Sequence, residues 1–413
     1  MKNIIVKDSS RFKSVLVSVN MLLPLEADKT GKNALLAMVL KKSNRLYKTE
    51  KELERVLASL YDATMDINVE KLDNLYNIQL AIEFLNQKYM SDNELNKIKE
   101  IIVSIICSPN ITNNNFDKEI FDREKASLIQ KIAEEKDDKR KYALECLKQD
   151  MFKDTEYGAS TIGSIDQVDK ITNEELVKHY EYVKNTAEIV VSVVGNLSQM
   201  ENFPQELLDA LCEKCGKHIV QNKKDIEKEI EKQEERIEKQ DINQSVLCIG
   251  LKASKVEKED TYALMLYNAI LGGTAASKLF QNVREKESLA YFARSTYNQM
   301  KHVIYMTAGV DPVNNEKAKD VMLKQLQLIE NNEITEEEFY AAKQSLISAY
   351  TEIQDSKLAL SRNALNNEIY FGKEVSAEEK IRRISNLTVE DVLDIAKKIK
   401  ATNVFLLGGV ACV

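Results

Sequence analysis

The two halves of the 413-residue chain repeat one pattern of residues. Near the end of each half an apolar residue is followed by Thr, two acidic residues, a helical stretch and an apolar strand that ends at glycine. These segments span residues 168–195 and 384–408. Each half also contains a long amphipathic helix pattern around a Ser-Leu-Ile triplet, at 121–135 and 339–352. Such repetition predicts two copies of one structural unit and limits the folds open to the chain.

The length of the chain agrees with two copies, because one hydrophobic core rarely serves more than about 250 to 300 residues. We therefore predict an N-terminal domain over residues 1–220 and a C-terminal domain over 241–413. Residues 221–240 are of mixed charge with few apolar side chains, and they predict a solvated linker that runs into a strand. A composition of 44% hydrophobic and 30% charged residues indicates that both domains are ordered and globular.

The order of predicted elements is the same in both halves. A strand is followed by two helices, two strands, several helices and a final strand. Residues 76–84 alternate apolar with polar side chains, which is typical of a half-buried strand. This order predicts an α+β fold with two tandem homologous domains, each a mostly antiparallel sheet covered by helices. The opening strands are predicted at 14–23 and 245–251, and the helices after them at 32–42 and 50–60 and at 260–271 and 276–287. In the second half the paired strands are predicted at 291–297 and 303–310.

Several classes of partner are disfavoured by the sequence. A formal net charge of -8 argues against nucleic acid, because phosphate binding needs a concentrated basic surface. Lys7 and Asp8 interrupt the N-terminus before a signal peptide could form, and no apolar run reaches the ~18 residues of a membrane span. We therefore expect a soluble, cytoplasmic protein with no membrane partner. Six scattered cysteines are typical of reduced thiols in such a compartment.

One cysteine motif allows two interpretations. Cys212, Cys215 and His218 have the close spacing of a zinc or redox site. The apolar residues before them recur at helical spacing, however, and a structural zinc usually requires a second pair of thiols. We favour two ordinary thiols at the end of a helix. A zinc or redox role remains the alternative, and it would require bound metal to disappear when these thiols are replaced by serine.

The most specific motif is Leu-Phe-Gln-Asn-Val-Arg-Glu-Lys-Glu-Ser-Leu-Ala-Tyr at residues 279–291, where a helix gives way to a strand. This motif within two tandem α+β halves resembles the insulinase and pitrilysin type of zinc metallopeptidase, the inverzincins, a group that includes mitochondrial processing peptidase. Residues 157–165 support the resemblance in the first half, and it covers essentially the whole chain. The resemblance implies a fold like that of LuxS and these metallopeptidases.

In that family an HxxEH helix supplies two zinc ligands and the general base, and a glutamate on a later helix completes the site. The equivalent positions here are Leu35, Met38 and Val39, with Lys131 in place of the glutamate. Glutamates 134 and 135 lie within one turn of Lys131, but a carboxylate without histidines is a poor zinc site. The resemblance therefore implies that this chain has no catalytic residue, metal ligand or cofactor. Its three histidines are elsewhere, at 179, 218 and 302.

Arg284 and Tyr291 are the residues that match the family's substrate-binding pair. The resemblance implies that they donate hydrogen bonds to a peptide carbonyl beside the metal. The alternative is a salt bridge of Arg284 with Glu285 or Glu287 and a tyrosine that merely begins a strand. The preceding Gly272-Gly273 could allow close approach of the backbone to a substrate, but paired glycines more often end a helix.

The resemblance implies a non-catalytic subunit of a heterodimeric zinc metallopeptidase, as in bacterial pairs. A homologous partner bearing HxxEH would hold the zinc, and this chain would supply Arg284, Tyr291 and a chamber wall for short or unfolded peptides. The alternative is a catalytically inactive, peptidase-like scaffold or peptide-binding protein that has no catalytic partner. A cotranscribed homologue with an intact HxxEH would favour the first hypothesis.

Overall fold

The computed structural model describes residues 2–222 and 233–408, which form twelve strands and fourteen α-helices. The strands are β1 (Ile4–Asp8), β2 (Ser14–Pro24), β3 (Thr64–Leu72), β4 (Leu75–Leu85), β5 (Ile111–Thr112), β6 (Asn115–Phe116), β7 (Glu188–Gly195), β8 (Glu234–Lys239), β9 (Ser245–Ala253), β10 (Ala290–Asn298), β11 (Val303–Val310) and β12 (Ile399–Gly408).

The α-helices are α1 (Thr30–Leu40), α2 (Glu50–Ser59), α3 (Asp92–Cys107), α4 (Lys118–Glu134), α5 (Lys139–Met151), α6 (Ile165–Asp169), α7 (Asn173–Lys184), α8 (Phe203–Cys215), α9 (Thr261–Asn268), α10 (Asn315–Glu330), α11 (Glu336–Ile353), α12 (Lys357–Phe371), α13 (Ala377–Ser385) and α14 (Val389–Ala396). Two π-helical segments, Ala269–Gly273 and Leu279–Lys286, follow α9. None of the described helices combines the length and the apolar character that crossing a bilayer requires.

The two halves build sheets of identical order. The first sheet runs β1-β7-β2-β4-β3, and the second runs β8-β12-β9-β11-β10. In each sheet all neighbouring strands are antiparallel, except that the first strand of the half pairs in parallel with the last. The predicted α+β class, with two mostly antiparallel sheets covered by helices, is therefore confirmed. The short first strands, β1 and β8, were not separately predicted.

The repeated Thr-acidic motif has the same structural role in both halves. Thr172 precedes α7 and Thr388 precedes α14, and each side chain accepts a hydrogen bond from a backbone N–H in the first turn. The acidic side chain of Glu175 or Asp391 accepts a hydrogen bond from the threonine's own N–H. These capping boxes fix where each helix begins and satisfy donors that a helix start leaves unpaired. The repeat in the sequence is therefore a repeated helix start.

The described residues fall into two compact units, and each unit takes one helix from the other half of the sequence. The first unit contains residues 2–134, 159–222 and 356–374, and the second contains 135–158, 233–355 and 375–408. Helix α5 packs on β9 and β12, whereas α12 packs on β1, β2 and β7. Residues 223–232 of the predicted linker lie outside the described residues, and Glu234–Lys239 of that linker form β8. The boundaries at 220 and 241 stay a prediction.

The strand predicted at residues 76–84 is present as β4, but it is half-buried as predicted only towards its end, where the Glu83 side chain is 41% exposed. Its polar side chains Asn77 and Gln79 are buried and donate hydrogen bonds of 3.0 and 2.9 Å to Oδ1 of Asn20 on β2. Helix α12 crosses this face of the sheet, where the Ser361 hydroxyl donates a 2.9 Å hydrogen bond to Ser192. Mutual hydrogen bonding allows a polar strand face to lie beneath a helix.

Candidate functional site

Arg284 and Tyr291 lie within the second unit, on two elements that pack against each other. Arg284 is in the last turn of the π-helical segment Leu279–Lys286, and Tyr291 is the second residue of β10. Ser288, with a φ of 51°, turns the chain between them. Two π-helical segments in succession are uncommon, and π-helical turns occur frequently at functional sites. The helix-to-strand transition predicted from the sequence is present, although its helix is of the π type.

Tyr291 is the extra residue of a β-bulge. Ala290 pairs with Val310 and Phe292 pairs with Gly309, so Tyr291 has no opposite residue on β11. A bulge changes the direction of a side chain relative to the regular strand. Tyr291 is 69% exposed, whereas Ala290 beside it is buried. Its hydroxyl forms no hydrogen bond with another of the described residues and is open to a ligand.

The guanidinium of Arg284 is held against a ring and remains partly exposed. Its Cζ lies 4.7 Å from the centroid of the Phe280 ring, and the side chain is 43% exposed. The predicted salt-bridge alternative is present only as a long contact, with Nε 3.6 Å from Oε1 of Glu285. Glu287 pairs instead with Lys317 at 2.9 Å. Exposed ion pairs contribute little to stability, so this long contact leaves the guanidinium donors available to a ligand.

The glycine pair before this segment is explained by packing. A Cβ added at Gly272 would lie 2.5 Å from the backbone nitrogen of Ser295 on β10 and 2.7 Å from Cδ1 of Leu279. A Cβ at Gly273 would have no contact closer than 3.3 Å. Gly272 is therefore required for the first π-helical segment to approach β10 closely. This observation favours the structural interpretation of the glycine pair over a substrate-binding one.

A further cation, which the sequence did not suggest, lies next to the bulge. Cζ of Arg140 lies 4.2 Å from the centroid of the Phe292 ring, immediately after Tyr291. Arg140 also lines an open cavity of about 690 Å³ together with Asp137, Asp241 and Gln244. Arg140 belongs to α5, the helix that the second unit takes from the first half of the chain. No local pattern could have connected two residues so distant in sequence.

The residues at the positions of the family's zinc ligands do not fit a metal ion. Leu35 and Val39 are buried core residues of α1, and Met38 is half-buried on the same helix. Lys131 on α4 is exposed. These side chains offer neither imidazole nor carboxylate, the ligands that such a zinc site requires. No three His, Cys, Asp or Glu side chains within residues 2–222 and 233–408 form a group that could hold a metal.

Helix α4 does bury one carboxylate, but cations already neutralise it. Glu124 is buried, and its Oε1 lies 2.9 Å from Nε of Arg123 and 3.9 Å from Nζ of Lys42. Lys42 also pairs with Glu50 at 2.6 Å. Glu134 and Glu135, the alternatives one turn beyond Lys131, are exposed. The buried charge is thus part of an ion-pair network between helices, which is a structural role.

His179 is buried next to the helix that would carry HxxEH in an active enzyme. Its Nε2 lies 2.7 Å from Oδ1 of Asn33 on α1 and is assigned as the donor. Burial, together with the nearby positive charges of Lys32 and Lys29, lowers the pKa of His179 from 6.5 to about 4. The imidazole is therefore neutral in the folded protein at neutral pH.

This lowered pKa predicts a loss of stability in acid. Below pH 6.5 the unfolded chain binds a proton at His179 that the folded chain does not, so the stabilisation is complete above pH 6.5 and declines towards pH 4. We expect the decline to amount to at most about 3 kcal/mol. His179→Gln retains a donor to Asn33 and should reduce the slope of unfolding free energy against pH, measured by denaturant titration. An unchanged slope would contradict this assignment.

Comparison with known proteins gives consistent matches. Residues 170–346 match the family described as the peptidase M16 inactive domain. The chain is 30% identical over 406 residues to the "probable inactive metalloprotease YmfF" of Bacillus subtilis (strain 168), covering 97% of this chain and 94% of that protein.

Two solved structures share the fold. A conserved protein from Enterococcus faecalis V583 superposes with a TM-score of 0.89 at 27% identity, over 99% of this chain and 96% of that one. A peptidase M16 inactive domain from Pseudomonas fluorescens superposes with a TM-score of 0.80 at 16% identity, over 98% and 96% of the two chains.

Proposed function

The chain belongs to the M16 peptidase family, and from this premise we propose that it is the non-catalytic subunit of a heterodimeric zinc metallopeptidase that cleaves short or unfolded peptides. A homologous subunit with an intact HxxEH motif is its partner and holds the zinc. This chain supplies Arg284 and Tyr291 for binding the substrate. The exposed donors of Arg284 and Tyr291 and the apolar side chains of Leu35, Met38 and Val39 support this proposal.

The exposure of Tyr291 at the β-bulge carries the proposal. An ordinary strand tyrosine in a protein of this size packs against its neighbours, and leaving it exposed forgoes about 1.5 to 3 kcal/mol of burial. Here the backbone instead departs from regular pairing and directs the phenol into solvent, beside a helix end that carries a guanidinium. Large exposed aromatic residues next to arginine are typical of binding surfaces.

The two side chains offer complementary donors to a peptide carbonyl. The guanidinium is permanently charged and planar, whereas the phenol donates one directional O–H. Both would strengthen their hydrogen bonds as negative charge develops on the carbonyl oxygen, and this preferential binding lowers the barrier to hydrolysis. The metal held by the partner would supply the activated water. The open cavity lined by Arg140 would leave room for another part of the substrate.

Reconstitution tests this proposal. The purified chain alone should bind no stoichiometric zinc by elemental analysis and should not cleave a fluorogenic peptide library. Chelator-sensitive cleavage should appear on mixing with an HxxEH-bearing homologue from the same organism. The control is that homologue mixed with an unrelated protein of similar size. Cleavage by this chain alone, abolished by a chelator, would contradict a non-catalytic role.

The second candidate function is an inactive, peptidase-like scaffold or peptide-binding protein. It is favoured by the similarity over nearly the whole chain to a relative named as a probable inactive metalloprotease. In that case peptides would bind, as measured by fluorescence anisotropy, and Arg284→Ala would weaken binding. No HxxEH homologue of the organism would then produce cleavage on mixing. The reconstitution experiment therefore distinguishes the two candidates.

A further inference from the structure

Cys107 and Cys215 meet in the interior of the first unit, although 107 residues separate them in the sequence. Cys107 is the last residue of α3, and Cys215 is the last residue of α8. The two helices pack side by side, and their final residues bring the Sγ atoms to 3.0 Å. Both side chains are buried. The thiol neighbour of Cys215 is thus on another helix.

The contact divides the two thiols into a donor and an acceptor. Either thiol could donate in this 3.0 Å contact. With the S–H of Cys107 as the donor, the hydrogen bond holds the pKa of Cys215 below its usual range, helped by the charge of Lys184. The same hydrogen bond, together with burial, raises the pKa of Cys107. Thiolates, not thiols, are the nucleophiles of sulfur chemistry. Cys215 is therefore the reactive member, and Cys107 is placed to resolve its oxidised form.

Cys215 lies beside a small cavity. Its side chain borders a cavity of about 10 Å³ that is also lined by Tyr180 and Lys184. That volume is close to the minimum that holds one water molecule. Bulky oxidants such as glutathione disulfide exceed this space. Hydrogen peroxide is small and uncharged, so among oxidants it requires the least additional space, and it is the class of oxidant that this cavity favours.

We propose that Cys107 and Cys215 form a redox-active dithiol, which hydrogen peroxide converts to a disulfide. The Cys215 thiolate attacks the O–O bond, takes one oxygen as a sulfenic acid and releases hydroxide, which becomes water on protonation. Cys107 then loses its proton and attacks the sulfenic sulfur, forming the S–S bond and releasing a second water. Two thiols lose two electrons in total, and one peroxide gains them.

Little movement is needed for this bond. A disulfide has an S–S length of about 2.05 Å, so the sulfur atoms must approach by about 1 Å. The Cys212-x-x-Cys215 spacing would suggest a different pairing, between two cysteines of the same helix. Cys212, however, is only half-buried, and the sulfur at hydrogen-bonding distance from Cys215 is that of Cys107. This inference is independent of the proposed peptidase partner.

Peptide mapping of the full chain tests the proposal. The reduced protein is treated with a small excess of hydrogen peroxide, alkylated and digested without reductant. Mass spectrometry should find the peptide of Cys107 joined to that of Cys215, two hydrogens lighter than their sum. The melting temperature should rise by at least about 4 °C, because the bond closes a long loop of the unfolded chain. Dithiothreitol should reverse both changes.

Matched variants identify the pair. Cys212→Ser should retain the crosslink, whereas Cys107→Ala should lose it and leave Cys215 as a sulfenic acid, which a sulfenic acid reagent traps once the chain is unfolded for digestion. The mapping on the unmodified chain does not depend on either variant folding. A crosslink between Cys212 and Cys215, or two alkylated thiols at 107 and 215 after peroxide treatment, would overturn the proposal.

Discussion

Arg284→Ala is expected to lower kcat/KM of the reconstituted enzyme by about 100-fold or more, while the two subunits still assemble. This fall in kcat/KM is the size expected when a transition state loses one charged hydrogen-bond donor to its developing oxyanion. Because the side chain is 43% exposed and its ion pair is long, truncation should not unfold the chain. The measurement is peptide hydrolysis by mixed subunits, together with native mass of the complex.

Two further variants give this prediction its controls. Lys286→Ala removes one positive charge from the same helix end and should leave kcat/KM within about twofold, because Lys286 is exposed and its one hydrogen bond to another of the described residues is to Asn282. Tyr291→Phe removes the hydroxyl alone and should lower kcat/KM by about tenfold or more. Unchanged turnover in Arg284→Ala would show that Arg284 is a surface residue without a role in binding.

Leu365→Asp is expected to destabilise the first unit by at least about 3 kcal/mol, because it would bury a carboxylate without a partner. Leu365 is 1% exposed and packs in a cluster that includes Leu22 and Val190 of the sheet. For a unit of this size the melting temperature should fall by roughly 6 °C or more. Thermal unfolding followed by circular dichroism measures this change.

The matched control lies on the same helix. Leu358 is 54% exposed, so Leu358→Asp introduces the same charge into α12 without burying it. Its melting temperature should stay within about 2 °C of the parent chain. Equal stability of the two variants would mean that α12 does not complete the first sheet. Because Leu365 lies in the second half of the sequence, the result also tests whether the units exchange helices.

The sequence predicted the features that depend on neighbouring residues. Helix starts were evident because Thr172 and Thr388 begin capping boxes, and β4 was evident from strict alternation. The first strand of each half was missed, since β1 and β8 contain only five and six residues. Their pairing with the last strand of the half is decided by tertiary structure, which a local pattern cannot reveal.

The candidate site was predictable only in part. Arg284 and Tyr291 were found because they belong to a contiguous motif. The bulge that exposes Tyr291 was not, because it depends on how β10 pairs with β11. Arg140, which contacts Phe292, comes from an exchanged helix, and the Cys107–Cys215 contact joins the ends of two helices distant in sequence. Contacts across such separations leave no periodic signal in the sequence.

The exchange of α5 and α12 has the geometry of a domain swap within one chain. Both helices follow the Ser-Leu-Ile helix of their own half, α4 and α11, so they occupy equivalent places in the repeat. Two separate single-repeat chains could satisfy the same contacts by each lending this helix to the other, as in a domain-swapped dimer. Fusing such a dimer would convert an association between molecules into a contact within one chain. Two copies of one repeat that exchanged this helix would form a symmetric homodimer, and the single chain reproduces that exchange internally.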